Sequence, residues 1–126
     1  MKKPKKLKKI SNKGFRGYPV ATISYYGPDN KIATKVAVGI VAGENEMPRD
    51  LKRWFKDSEI RNDLMVQDAI LEFIRQNKVK SVVIADRIMG CPHEEGKDYP
   101  DGSKCPKCHY WANRDRFSGE INKRHI

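Results

Sequence analysis

The chain has 126 residues, of which 38% are hydrophobic and 33% charged, and a formal net charge of +10. That length supports one modest core and not two, and the dense apolar runs argue against wholesale disorder. No apolar run reaches the roughly 18 residues a membrane-spanning helix needs, and the first lysines lead into no apolar h-region, so neither a span nor a secretory signal is expected. Three cysteines cannot all pair within one chain, and a reducing, cytoplasmic interior would keep them as thiols.

The positive charge is concentrated at the start. Residues 1–17, MKKPKKLKKISNKGFRG, carry Lys2, Lys3, Lys5, Lys6, Lys8, Lys9, Lys13 and Arg16 with no acid, a charge of +8. Residues 18–126 hold 18 basic and 16 acidic side chains, a charge of +2. One proline, two glycines and a block of like charge predict a disordered basic arm that neutralises phosphates when it meets them. A solubilising tail is the plainer alternative. The arm lacks the apolar face of a mitochondrial presequence, Leu7 and Ile10 being its nearest approach to one.

The α+β core is expected over residues 18–89. YPVATISYY (18–26) is rich in β-branched and aromatic residues and stops at the turn formers Gly27, Pro28, Asp29 and Asn30, which predicts a strand. IATKVAVGIV (32–41) alternates, with Thr34, Val36, Val38 and Ile40 on one side and Ala33, Lys35, Ala37 and Gly39 on the other, so the two segments read as a β-hairpin with one buried face. After Pro48, Leu51, Trp54 and Phe55 fall at i, i+3 and i+4, the spacing of a short helix. A longer helix starts at Asn62 or Asp63 as cap, presents Val66, Ala69, Ile70, Phe73 and Ile74 on one stripe, and ends near Asn77. The run Lys80 to Ala85 then reads as a strand buried on both faces or in the sheet centre, parallel to the second strand. The expected fold is a small mixed sheet with two helices, a basic arm, and a C-terminal segment (90–126) that carries a zinc loop.

All three cysteines lie in that last segment, in the pattern C-x-H-x11-C-x2-C formed by Cys91, His93, Cys105 and Cys108. Four nitrogen or sulfur donors suit tetrahedral Zn²⁺, and CPKC is a chelate that a tight turn aims at one ion. The intervening residues, among them Gly96, Pro100, Asp101 and Gly102, are loop formers that allow the two pairs to meet. His109 competes with His93 for the fourth place. A filled Cys₃His shell is the mark of a structural site, and so polar a loop depends on its ion for order. Zinc deaminases share an H-x-E and a P-C-x-x-C element, but here only nine residues separate Glu95 from Cys105, and the proline follows that cysteine.

Two further readings concern function. Asp86, at the end of the expected central strand, with Glu94 and Glu95, defines a metal-dependent nuclease or hydrolase alternative. The other is nucleic-acid binding. Residues 104–126 hold six basic and two acidic residues interleaved with aromatics, and Tyr110, Trp111, Arg114, Arg116 and Phe117 supply ring faces beside cations, as a single-stranded site requires. The order hairpin, helix, strand in ATISYYGPDNKIATK and AILEFIRQNKVKSVVIAD resembles the central portion of ribonuclease-H-like proteins and of some ribosomal proteins with that core. The resemblance implies RNA association more than cleavage, because residues 18–26 lack the acid usual on the first strand. The expected protein is therefore a zinc-binding, RNA-associated domain, with a hydrolase and a protein-interaction adaptor as alternatives.

Overall fold

The computed structural model describes residues 6–94, 97–100, 106 and 110. Its elements are α1 (Lys6–Ser11), β1 (Val20–Tyr26), β2 (Lys35–Val41), β3 (Asp50–Phe55), α2 (Leu64–Gln76) and β4 (Ser81–Ile88). The strands form one mixed sheet in the order β3-β2-β1-β4, antiparallel between β1 and β2 and between β2 and β3, parallel between β1 and β4. The chain is thus a small α+β domain. Among the described residues no helix is long and apolar enough to cross a membrane.

The β1–β2 hairpin follows the alternation read from the sequence. Val36, Val38 and Ile40 pair with Tyr25, Ile23 and Ala21, and all six point to the helix-covered face, where each is at least 92% buried. The turn between the strands is closed by Asp29, whose Oδ1 accepts from Lys31 N (2.8 Å) and Ile32 N (3.1 Å). Gly27 is required there because the Ile32 carbonyl occupies the space a Cβ would fill. Asp63 caps α2 as expected, accepting from Val66 N at 2.9 Å, and Ile70 and Ile74 are buried against the sheet face with Val66 and Phe73 packed beside them. Gln67 is buried too.

Four expectations need correction. The segment 51–55 is the strand β3 and not a helix. Trp54 and Phe55 fit a pleated surface as well as a helix stripe, and the free edge of β2 offers a full ladder from Lys35↔Phe55 to Ile40↔Asp50. Trp54 then meets Phe73 of α2 edge to face, with ring centroids 6.1 Å apart, and the Lys52 ammonium lies over both rings. Because β3 adds a reversal of direction, the last strand runs parallel to β1 and opposite to β2. It is also an edge strand among the described residues and not a central one, which leaves Val83 55% exposed.

The fourth correction concerns the arm. Residues 6–11 form α1, and Leu7, 2% exposed, belongs to the core cluster with Ile10 packed against it. Leu7 and Ile10 are one helical turn apart, so a six-residue helix turns both toward the same surface. The following loop is tied down by Ser81, which accepts from Arg16 N at 2.7 Å and donates to the Gly17 carbonyl at 2.8 Å. Lys2, Lys3 and Lys5 lie outside the described residues.

Candidate functional site

The metal-like segment leaves the sheet in a fixed direction. Met89 N donates to Tyr25 O (2.7 Å) and Gly27 N to Gly90 O (2.8 Å), so the chain beyond β4 stays bonded to the end of β1 until Cys91. Cys91 is 7% exposed. Its Sγ accepts the backbone N–H of His93 at 3.2 Å and stands 3.3 Å from His93 Nδ1. Two donors on one tetrahedral zinc sit about 3.6 Å apart, from ordinary Zn–S and Zn–N lengths. The pair is therefore at chelating separation. Cys105, Cys108 and the competing His109 lie outside the described residues, and among the described residues no group of three or more His, Cys, Asp or Glu side chains is arranged to hold a metal.

Glu94 occupies the next position, and its surroundings settle what its carboxylate does. The turn is compact: Glu94 N donates to Asp98 Oδ2 at 2.7 Å, and Glu94 O accepts from Lys97 N and Asp98 N. The side chain reaches back over the sheet face opposite the helices. Lys35 Nζ donates to Oε2 at 2.8 Å, Arg53 Nε stands 2.6 Å from the same oxygen, and an Arg53 terminal nitrogen donates to Oε1 at 3.1 Å. Lys35 is 4% exposed, donates also to the Pro92 carbonyl at 3.1 Å, and lies over the Tyr26 and Phe55 rings at 5.3 and 5.4 Å. The hydrogen bond from Lys35, above all, holds the Glu94 carboxyl below the usual carboxylate range, with Arg53 and Lys97 adding to it against the effect of burial. An ionised carboxylate with both oxygens committed to two cations is a counter-ion that docks the turn, and it is poorly suited to donate or accept a proton in a reaction.

Two clefts flank this clasp. One, about 310 Å³, lies among Tyr26, Ala37, Leu51, Arg53, Cys91 and His93; the other, about 300 Å³, among Thr34, Phe55, Lys56, Pro92, His93 and Lys97. Of the other residues singled out from sequence, Asp86 lies within β4 but its side chain is outside the described set, as is all of Glu95. Lys6, Lys8 and Lys9 are on α1, Lys13 and Arg16 are exposed in the loop after it, and Tyr110 is half-buried. Trp111, Arg114, Arg116 and Phe117 are outside the described residues. Lys35, Arg53 and Phe55 were missed as site residues. The available signal was Lys35 itself, the one charged residue in an otherwise uncharged stretch from Ile32 to Val41.

The fold and this turn together define a small α+β domain with a cysteine–histidine pair clasped to the open face of its sheet. No family model, curated protein or solved structure matches the chain.

Proposed function

We propose that this chain is a small zinc-binding protein that associates with nucleic acid, RNA in preference to DNA, with the zinc in a structural role. The observation that carries the metal reading is the Cys91–Pro92–His93 turn, in which a buried sulfur and an imidazole nitrogen stand 3.3 Å apart at the end of the sheet. Cys105 and Cys108 complete a tetrahedral set by their spacing in the sequence. Zinc would supply folding free energy to a segment too polar to order itself by burial. Nucleic-acid association rests on the eight cations of residues 1–17 and on the aromatic, basic residues beyond Lys104. RNA is preferred because unpaired bases suit aromatic side chains interleaved with cations. The hydrolase alternative loses Glu94, whose carboxylate is taken up by Lys35 and Arg53.

Elemental analysis of the purified chain tests the metal: about one zinc per chain is expected, lost in Cys91→Ser and in Cys105→Ser, and a folded, metal-free parent overturns it. Titration of labelled single-stranded RNA at two salt concentrations tests the partner. Because α1 is part of the core, the arm is probed by Lys2, Lys3 and Lys5→Gln substitutions and not by deletion through Gly17. An affinity no greater or more salt-dependent than that of an unrelated basic protein refutes the reading.

A further inference from the structure

We infer that the loop between α1 and β1, with Lys78 and Lys80 beside it, is the surface on the body of the domain that contacts single-stranded nucleic acid, an inference that rests on the nucleic-acid reading above. Residues 13–18, KGFRGY, are held against the start of the sheet. Ser81, 2% exposed, accepts from Arg16 N at 2.7 Å and donates to the Gly17 carbonyl at 2.8 Å, and Lys80 N donates to Pro19 O at 2.9 Å. Gly14 and Gly17 bracket Phe15 and Arg16 with φ of +77° and +106°, a region in which glycine is at ease and other residues are strained. Between them Phe15 stands outward: its ring is 68% exposed, with the Tyr18 ring edge to face at 5.3 Å. Lys80 runs alongside, its Cδ 3.6 Å from the place where a Cβ on Gly17 would be.

The charge here is uncompensated. Residues 12–19 and 77–81 carry Lys13, Arg16, Lys78 and Lys80 and no acid. All four are exposed, and among the described residues none is in an ion pair, in contrast to Lys35, Arg53, Lys56, Arg61 and Arg75, each of which holds a carboxylate. Open cations beside an accessible ring suit a single strand, whose phosphates take the cations while a base stacks on the ring. The centre of a protein–protein interface is depleted in charge, and an acidic protein partner gives no use to a phenyl face kept in water. The lysines of residues 2–9 precede this loop in the chain, so a polyanion drawn in by them arrives next to Phe15.

The test uses the full chain and a fluorescently labelled, single-stranded pyrimidine RNA, with anisotropy read over a series of salt concentrations for the parent, Lys80→Gln, Phe15→Ala and Lys31→Gln. Thermal unfolding of each variant serves as the folding check. Lys31 is exposed in the turn beyond the far end of β1 from Lys80, so Lys31→Gln removes the same charge from elsewhere on the domain. Lys80→Gln is expected to lower the slope of log affinity against log salt by roughly 0.7, the share of one phosphate on a single strand. Phe15→Ala should weaken binding by at least about fivefold at every salt concentration with the slope unchanged, and Lys31→Gln should match the parent in both respects. A parent that binds while either Lys80→Gln or Phe15→Ala behaves as Lys31→Gln does overturns this site alone and leaves the nucleic-acid reading to the N-terminal lysines. A parent that does not bind overturns both, and leaves the patch to an acidic protein.

Discussion

Replacing Glu94 by alanine isolates the clasp between the cysteine–histidine turn and the sheet. The substitution leaves the Lys35 ammonium, 4% exposed, with the Pro92 carbonyl and two ring faces, and it removes both acceptors of the Arg53 fork. Exposed ion pairs contribute up to about 1 kcal/mol, while removing one partner from a fully buried pair costs about 3–5 kcal/mol. Glu94 is 28% exposed, which places this clasp between those limits, at about 2–3 kcal/mol. For a domain of this size that is a fall in Tm of roughly 6–15 °C. Lys35→Met is expected to cost less, about 1 kcal/mol, because it removes the buried charge itself and leaves Glu94 on Arg53. The double variant should then fall short of the sum by about 1 kcal/mol or more. Urea unfolding with zinc in excess measures all four proteins. A Glu94→Ala midpoint equal to the parent's, or strict additivity with Lys35→Met, refutes the clasp.

Two further outcomes follow from the packing and the charges. Leu7→Ala is expected to destabilise the whole domain by about 2–3 kcal/mol, because Leu7 is 2% exposed and lies in the main core cluster; an unchanged urea midpoint would mean that α1 is detached in solution. Glu59 gives a pH dependence. Burial raises its carboxyl, but the Arg61 side chain and the backbone amides of Arg61 and Ala33 outweigh this, so its pKa lies below the ordinary value in the folded chain. A depressed pKa gives a contribution that is complete above the unfolded value and lost as pH falls through the folded one. The stability difference between the parent and Glu59→Gln should therefore shrink steadily from pH 6 to pH 3, the range in which carboxylates titrate (roughly), and a difference constant over that range refutes it.

What the sequence disclosed depended on whether a local signal had a competitor. The hairpin was legible because alternation over Val36, Val38 and Ile40 admits one burial solution, and α2 because Asp63 and a 3.6-residue stripe agree. Residues 51–55 were ambiguous, since Leu51, Trp54 and Phe55 satisfy helical spacing while every second residue also satisfies a strand. The edge of β2 decided between them, and no local window contains that information. The arm misled for a different reason: its charge dominates its composition, yet folding asks only whether Leu7 and Ile10 find a surface, and α1 finds it on β4 and α2, far along the chain. That Cys91 and His93 share one turn was legible from their spacing alone. Its clasp was not, because Glu94 and Lys35 are brought together only by the register of β2 with β3 and by the exit of β4 beside β1.

The clasp also divides the cations into two groups with different work to do. Lys35 and Arg53 share one carboxylate, so they act mainly on Glu94 and hold the Phe55 and Tyr26 rings in place. Lys56 is paired with Asp63 at 2.8 Å. Little uncompensated charge therefore remains next to Phe55, and on the nucleic-acid reading proposed above the salt dependence of binding would come mainly from the lysines of the N-terminal segment. The turn that presents Cys91 and His93 is the same turn that carries Glu94 to Arg53, so a metal held there, as proposed above, would also fix the arginine between Leu51 and Phe55 on the open face.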